Sequence, residues 1–400
     1  MLRPSESPPN RWAVVAPCLL LLSVVLRIAL TYLGPNGTNF IDLHVYVDGA
    51  AALADGGLYD FVYHAPVPPM PLQFTYPPFA ALVFYPLHFL PFPMVGLCWQ
   101  VGIFATLYGC VVVTLRLLGR FDRRSAMTWT ALAIWFEPMR HVFELGQISA
   151  LLVLAVLWAC HSGRPWVSGV LVGVAAGIKL TPAVTGLYFL GARRWGAAAA
   201  SVVVFLGTVA LSVVALGAQG RYYFTDLLGD AGRIGEVSSP MNQSLRGMVG
   251  YLLGHDAGYG PLVLAAMAVA AVLTVLAWRA IDSDDALGRL LVVMLFGLLC
   301  SPISWTHHYV WLLPLVLWLV HGPMRVRTRT VGWAWFVLAY VSPPWILVFT
   351  DSRGWTSSGH SYLAWVGSLY VLAALATLGY LATLRRRSDR SRTPSPDPSE

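Results

Sequence analysis

Apolar runs long enough to cross a membrane recur along the chain, and they constrain the fold more than any other feature. The first run, 12–33, matches the roughly 20 residues that span a hydrocarbon core of about 30 Å. Only 11% of the residues are charged and 57% are hydrophobic, whereas about a quarter of the residues in soluble domains are charged. Because so few polar residues cannot cover a fold in water, the sequence predicts an all-α polytopic membrane protein. A β-barrel would show short alternating segments instead.

The basic residues predict how the chain crosses the membrane. There are 26 of them, and Lys179 is the single lysine. They cluster between apolar runs, and the positive-inside rule places such clusters in the cytoplasm. The clusters are RFDRR at 120–124, ARR at 192–194, MRVRTR at 324–329 and RRRSDRSR at 385–392. This orientation gives about twelve membrane-spanning helices with both termini inside.

A few basic residues do not follow this asymmetry. Arg27 lies within the first apolar run, and six residues fall on the external side. These six are Arg140, Lys179, Arg221, Arg233, Arg246 and Arg353. Topology does not require them there, so we interpret them as candidates for contact with an anionic group.

The domain organisation is expected to be simple. One membrane-embedded domain, 12–384, lies between two disordered cytoplasmic tails, 1–11 and 385–400. Two long external loops are predicted at about 34–91 and about 218–259. The first loop contains a helix-forming start, which is expected to lie along the membrane surface. Its proline-broken apolar end, FTYPPFAALVFYPLHFLPFP, predicts a re-entrant or interfacial segment.

Polar clusters beside the apolar runs all fall on the external side. Polar groups at membrane depth are costly, so each cluster is a candidate functional site. Unrelated polar residues would be scattered over both sides, which favours one external site. Besides the start of the first loop, the clusters are FEPMRHVFELGQ at 136–147, GIKLTP at 177–182, SSPMNQSLRG at 238–247 and SPISWTHHYVW at 301–311.

Asp42 is the candidate general base. In a helix over 41–54 it shares a face with Tyr46, whereas Asp48 and Asp55 share a different face. A partly dehydrated carboxylate has a raised pKa and suits proton abstraction. The alternative interpretation is that all three aspartates are solvated surface acids or helix caps.

Lys179, His307 and His308 are candidates for binding a phosphate. An ammonium beside an apolar run is expected to meet a carboxylate or a phosphate, unless Lys179 extends to the headgroup layer. The two imidazoles can donate hydrogen bonds to phosphate oxygens. Alternatively, they satisfy backbone groups.

Other external side chains also have two interpretations each. Arg140 either holds an anionic group or pairs with Glu137 and Glu144 in one helical turn. The external aromatic residues form either a belt at the membrane interface or a surface that stacks on sugar rings. They are Tyr46, Tyr59, Tyr63, Phe74, Tyr76, Trp305 and Tyr309.

Several common sites are missing from the sequence. There is no phosphate-cradling glycine loop, no G-x-S-x-G elbow, no H-E-x-x-H pair and no basic–aromatic pattern for nucleic acid. The five cysteines have no metal-ligand spacing. We therefore expect neither a metal ion nor a cofactor, and no nucleic-acid partner.

An external carboxylate, external cations and a lipid-embedded body suit sugar transfer from a lipid phosphate. Asp42 would deprotonate the acceptor hydroxyl, and a single displacement would invert the anomeric centre. A transporter of a lipid-linked sugar would instead place polar groups near the bilayer midplane, with repeated halves. A structural subunit would not need the external cations and the histidine pair.

Long stretches carry a family resemblance. They are TYLGPNGTNFIDLHVYVDGAA, FTYPPFAALVFYPLHFLPF, WFEPMRHVFELGQISALL, GIKLTPAV, RYYFTDLLGDAGRIG, NQSLRG, GHDAGYGPLVLAA and SPISWTHHYVWL. The chain resembles the membrane-embedded GT-C glycosyltransferases of family 87 that use polyprenyl-phosphate sugars. The resemblance implies transfer from polyprenyl-phosphate-mannose to a tetramannosylated phosphatidylinositol mannoside with an α-1,2 linkage. It implies a site on the periplasmic side of the bacterial inner membrane. A related transferase acting on lipomannan or arabinan is the alternative.

The resemblance also implies roles for individual residues. Asp42 takes the catalytic position, with Glu144 as the reserve acid. His307 or His308 lies near the donor phosphate, where Lys179 and Arg140 are also expected. The residues expected to shape the sugar pocket are His44, Tyr46, Tyr76, Glu144, Gln147, Asn242, Gln243, Arg246 and Trp305.

Overall fold

The structure is a computed structural model, and the residues that it describes are almost entirely helical. The described ranges are 12–34, 38–66, 69–323, 326–350 and 362–384. Both predicted tails and Arg353 lie outside the described residues. The prediction of a single domain is not tested.

The helices form where apolar runs carry little charge, and they are numbered here along the chain. They are α1 Trp12–Leu33, α2 Ile41–Ala51, α3 Pro78–Phe84, α4 Phe92–Leu117, α5 Arg123–Ala133, α6 Glu137–Leu145, α7 Ser149–His161, α8 Pro165–Ile178, α9 Thr185–Gly191, α10 Trp195–Leu216, α11 Ala218–Tyr222, α12 Leu245–Leu253, α13 Pro261–Ala280, α14 Ala286–Cys300, α15 Leu312–His321, α16 Val326–Val341, α17 Pro343–Thr350, α18 Tyr362–Gly367 and α19 Leu369–Ala382.

Within the described ranges, five helical segments are long and apolar enough to cross a membrane. They are Val14–Leu33, Phe92–Leu117, Trp195–Leu216, Pro261–Ala280 and Arg327–Leu347. Shorter apolar helices lie between them, among them α7, α8, α14 and α19. This arrangement agrees with a helical multi-pass membrane protein. The total of about twelve spans stays a prediction.

Three interruptions in the helices coincide with polar clusters predicted to be external. The short helix α6 separates α5 from α7 and ends at Gly146, whose φ of 71° lies in the left-handed region that glycine tolerates. The helix α8 ends before Lys179, and the 3-10 turn Thr181–Val184 follows it with a proline near its start. The 3-10 helix Thr306–Trp311 lies between α14 and α15. Each of these three clusters therefore lies where the chain passes from one apolar helix to the next.

The first external loop is more structured than the sequence indicates. The predicted helix over 41–54 ends at Ala51 in the structure, so Asp55 lies in a turn beyond it. The prediction that Asp48 and Asp55 share a helix face is therefore wrong. The proline-broken end of the loop forms α3 and the 3-10 helix Tyr85–Phe89.

A β-hairpin lies between α2 and α3, and the all-α prediction missed it. Its strands, β1 Val62–Pro66 and β2 Pro69–Gln73, pair antiparallel with Val62 opposite Gln73. The prolines in β2 hide the strand signal, because proline cannot donate a ladder hydrogen bond and is usually confined to sheet edges.

Two packing arrangements position the helices that carry the polar clusters. The helix α2 is anchored, because Leu43 and Tyr46 are buried and the ring of Tyr46 stacks on Phe84 of α3. The helix α8 packs closely on α10 through glycines spaced four residues apart. A Cβ atom at Gly173 would lie 2.7 Å from the Cβ atom of Val204. Small residues thus allow the two backbones to approach and place Lys179 at the end of α8.

Candidate active site

A strained residue sets the start of α2. Phe40 adopts φ 38° and ψ 36°, a left-handed conformation that is uncommon for a bulky side chain. Its backbone N–H donates to the backbone oxygen of Glu144 at 3.0 Å. This contact joins the start of α2 to the end of α6 and places Asp42 in the first turn of α2.

Gln147 joins the two charged residues of the site. Its Nε2 donates to Oδ2 of Asp42 at 2.8 Å, and its Oε1 accepts from Nζ of Lys179 at 3.5 Å. The same Oε1 accepts from the hydroxyl of Tyr46 at 2.9 Å. One amide therefore connects the α2, α6–α7 and α8 segments, which are far apart in the sequence.

Tyr46 and Tyr76 complete this polar cluster. Their hydroxyls lie 3.1 Å apart, and the ring of Tyr46 stacks on Phe84 with centroids 4.6 Å apart. The ammonium of Lys179 lies 5.4 Å from the centroid of the Tyr76 ring. Both tyrosines are buried within the protein, so for these two residues the interpretation as a lipid-facing belt is wrong.

Burial within the cluster shifts the pKa values of Asp42 and Lys179. Burial raises the pKa of Asp42 to about 6, although the hydrogen bond from Gln147 and the charge of Lys179 act in the opposite direction. Burial lowers the pKa of Lys179 to about 8, and the charge of Asp42 opposes this effect. At neutral pH both groups are therefore mainly charged. The interpretation of Asp42 as an ordinary solvated acid does not fit this environment.

A cavity of about 340 Å³ borders the cluster. Its polar end is lined by Ser149, Lys179, Thr181, Ser301, Ser304 and His308. The remainder is mainly apolar and includes Leu152, Val153, Val156, Val184, Met294 and Leu298. Such a shape suits an anionic group attached to an apolar chain.

The histidine pair lies on the 3-10 helix Thr306–Trp311. The two rings are perpendicular, with centroids 4.7 Å apart. His308 lines the cavity. Nε2 of His307 and Nδ1 of His308 are buried and have no hydrogen-bond partner within the described ranges. Buried imidazole nitrogens usually find a partner, so these atoms are available to a ligand.

The acidic and basic residues of α6 do not form the ion pairs that were predicted within one helical turn. Within the described ranges, Arg140 forms no ion pair with Glu137 or Glu144, and its Nε is buried without a partner. Glu144 instead pairs with Arg27, whose Nη2 lies 3.2 Å from Oε1. Arg140 is thus free for an anionic ligand.

Glu137 is a site residue that sequence reasoning missed. Its carboxylate is completely buried and accepts from the hydroxyl of Tyr370 at 3.1 Å, while its other oxygen, Oε1, has no hydrogen-bond partner within the described ranges. Burial raises its pKa to about 7, although nearby hydroxyl groups and the charge of Arg140 act in the opposite direction. Because α6 packs against the 3-10 helix Thr306–Trp311, Glu137 lies beside the turn that carries the histidines.

His44 lies apart from Asp42, although the two residues share α2. Its Nδ1 lies 3.0 Å from Oδ2 of Asp48, and its ring stacks on Phe92 with centroids 3.6 Å apart. Residues two apart on a helix point in different directions, which explains the separation. The structure therefore does not bring His44 to the cluster.

Four further predicted sugar-binding residues are engaged elsewhere. Asn242 donates to the backbone oxygens of Val237 and Pro302, and Gln243 donates to those of Pro240 and Gly367. Arg246 pairs with Asp256 at 2.6 Å, and Trp305 packs beside Val237 and Ile303. These contacts stabilise the loop that was predicted to be the second external one, and a direct role in sugar binding stays a prediction for all four.

The described residues contain no group of three or more His, Cys, Asp or Glu side chains that could hold a metal ion. The expectation that the protein uses neither a metal ion nor a cofactor stays a prediction.

Comparison with known proteins gives consistent results. Residues 74–302 match glycosyltransferase family 87. The chain is 57% identical to the polyprenol-phosphate-mannose-dependent alpha-(1-2)-phosphatidylinositol pentamannoside mannosyltransferase of Mycobacterium tuberculosis, over 95% of this chain and 90% of that protein. Identity to the protein of the same description from Mycolicibacterium smegmatis is 56%, over 96% of this chain and 95% of the relative.

More distant relatives have a different phosphatidylinositol mannoside in their description. A polyprenol-phosphate-mannose-dependent alpha-(1-2)-phosphatidylinositol mannoside mannosyltransferase of Mycolicibacterium smegmatis is 33% identical, over 94% of each chain. No solved structure matches the chain.

Proposed function

The chain belongs to glycosyltransferase family 87, and from this premise we propose that it transfers mannose from polyprenyl-phosphate-mannose to a phosphatidylinositol mannoside. The new bond is an α-1,2 linkage. The two relatives above 55% identity, which cover nearly the whole chain, support this activity.

The proposed acceptor carries four mannoses. Addition of one mannose to it yields a pentamannoside, the compound in the description of the two more similar relatives. The relatives near 33% identity refer only to a phosphatidylinositol mannoside. An acceptor that already carries several mannoses is therefore the better fit to this chain.

The observation that carries the mechanism is the Asp42–Gln147–Lys179 cluster, whose Lys179 lines the polar end of a largely apolar cavity. Gln147 holds Oδ2 of Asp42. The other carboxylate oxygen has no hydrogen-bond partner among the described residues, so it can accept the proton of the acceptor hydroxyl. A raised pKa makes this carboxylate a stronger base than a solvated aspartate.

The transfer is a single displacement. As Asp42 takes the proton, the acceptor oxygen bonds to the anomeric carbon, and the bond from that carbon to the phosphate oxygen breaks. The polyprenyl phosphate leaves with the bonding electrons. Because a single displacement inverts the anomeric centre, an α product requires a β-linked donor. Lys179 and His308 line the polar end of the cavity, where they can stabilise the leaving phosphate.

The proposed location of the reaction is the periplasmic side of the inner membrane, with both termini in the cytoplasm. The distribution of arginines supports this orientation. The Asp42 and Lys179 segments lie in sequence clusters that this topology assigns to the same external side.

Mannose transfer by purified protein tests the proposal. Radiolabelled polyprenyl-phosphate-mannose is incubated with tetramannosylated acceptor and either wild type, Asp42→Asn or Asp48→Asn. The Asp42 variant is expected to lose activity by about 1000-fold, the middle of the range for removal of a general base. Asp48 is half-exposed on the same helix and serves as the matched control, with activity close to wild type.

The outcomes separate the alternatives. Retained activity in Asp42→Asn removes this residue from the base role. Transfer only to lipomannan assigns the protein to the related transferases. A wild type that transfers mannose to neither acceptor contradicts the proposed function and favours a transporter.

A further inference from the structure

Arg27 is a buried cation in the first long apolar helix, and the mechanism above does not use it. Its side chain is only 3% exposed, although burial of a charge in such a helix is costly. Its Nη2 donates to Oε1 of Glu144 at 3.2 Å, and its Nε donates to Oγ1 of Thr31 at 3.4 Å. The guanidinium thus joins α1 to α6 through one carboxylate.

The carboxylate of Glu144, which pairs with Arg27, is partly exposed. The side chain of Glu144 is 48% exposed, whereas that of Arg27 is almost completely covered. The second oxygen, Oε2, has no hydrogen-bond partner within the part of the chain that the structure describes. Arg27 therefore orients the carboxylate through one oxygen and leaves the other available to a ligand.

The position of Glu144 connects it to the active site. Glu144 lies three residues before Gln147, which binds Asp42. Its backbone oxygen accepts from Phe40, two residues before Asp42. Arg140 lies one turn earlier on the same face of α6. The open carboxylate is thus part of the segment that positions Asp42, and it lies close to a cation expected to face the donor phosphate.

We propose that Arg27 is a positioning residue that orients the carboxylate of Glu144 through one oxygen, so that its free oxygen binds hydroxyl groups of the acceptor mannose. The inference rests on the proposed function and extends it to acceptor recognition. An ionised carboxylate accepts hydrogen bonds about twice as strong as those of a neutral acceptor. It therefore suits a sugar that presents several hydroxyl groups.

Arg27 also has an electrostatic role in this arrangement. A carboxylate beside the donor phosphate repels it, whereas the Arg27–Glu144 pair is neutral overall. Loss of Arg27 therefore weakens donor binding through the uncompensated charge of Glu144. Removal of both charges restores donor binding but not acceptor binding. A pair that only joined two helices would not produce this reversal.

Steady-state kinetics on Arg27→Met, Glu144→Gln and the double variant test the inference. Glu144→Gln is expected to raise the acceptor KM by about tenfold. It is also expected to lower the donor KM, because it leaves the positive charge of Arg27 uncompensated. Arg27→Met raises the donor KM by about fivefold, the order expected from one nearby uncompensated charge. In the double variant the donor KM returns to the wild-type value, and the acceptor KM stays high. Arg27→Lys retains the charge and keeps the wild-type donor KM.

Controls separate recognition from folding. Thr31→Val removes the neutral contact of Arg27 and is expected to keep both KM values. A wild-type acceptor KM in Glu144→Gln overturns the inference, even if the Arg27 variants do not fold. If the donor KM stays raised in the double variant, Arg27 does not act by compensating the charge of Glu144. Wild-type transfer in the same assay keeps this test distinct from failure of the proposed function, which is contradicted only if the wild type is inactive.

Discussion

Replacement of Lys179 by methionine tests the electrostatic coupling at the centre of the proposed site. Activity requires ionised Asp42, so kcat/KM is expected to fall as the pH drops through the pKa of Asp42 in the free enzyme, about 6. The positive charge of Lys179 favours the ionised carboxylate and lowers this pKa. Its removal must therefore raise the pKa and move the acidic limb of the pH profile to higher pH.

The contacts set the magnitude of this change. Distances of 2.8 and 3.5 Å through the amide of Gln147 place the two charges within about 8 Å, where an effective dielectric constant of about 20 gives an attraction of about 2 kcal/mol. Because about 1.4 kcal/mol corresponds to one pKa unit, the pKa of Asp42 is expected to rise by about 1.5 in Lys179→Met.

The assay is the pH dependence of kcat/KM for mannose transfer in wild type and Lys179→Met. The acidic limb should move from about pH 6 to about pH 7.5, with a lower plateau because a phosphate contact is lost. Arg246→Gln is a matched control, since its partner is the remote Asp256, and its limb should stay in place. An unmoved limb in Lys179→Met would refute either the coupling or the assignment of the limb to Asp42.

Further variants test the remaining contacts. His308→Gln should raise the donor KM by about tenfold and His307→Gln by less, because His308 lines the cavity; equal effects in steady-state kinetics would contradict this distinction. Glu137→Leu should destabilise the fold by about 1–3 kcal/mol in thermal unfolding, because the buried hydroxyl of Tyr370 loses its acceptor; an unchanged midpoint would contradict this role. Gly173→Ala should lower the unfolding temperature because its Cβ would lie 2.7 Å from that of Val204, whereas Gly207→Ala on α10 meets nothing within 4 Å and should be neutral.

The sequence alone determined the features that depend on local composition. Apolar runs predict long helices such as α1 and α4. A helix of about 20 apolar residues spans the bilayer and pairs all its backbone hydrogen-bonding groups internally. Proline and glycine predict the breaks around Lys179 and Gly146, because their backbone limits act within a few residues. Helical spacing separated Asp42 from Asp48 and Asp55, and the family resemblance then selected it as the candidate base.

Only the tertiary structure decided which polar groups meet. Gln147 and Asp42 are 105 residues apart in sequence, and Arg27 and Glu144 are 117 apart. Neither contact has a local signal, since each depends on how α1, α2, α6 and α8 pack against one another. The packed face of α2 likewise separates His44 from Asp42. Composition and local backbone chemistry thus determined the helices, whereas long-range packing determined the site, because side chains distant in sequence interact only after the helices assemble.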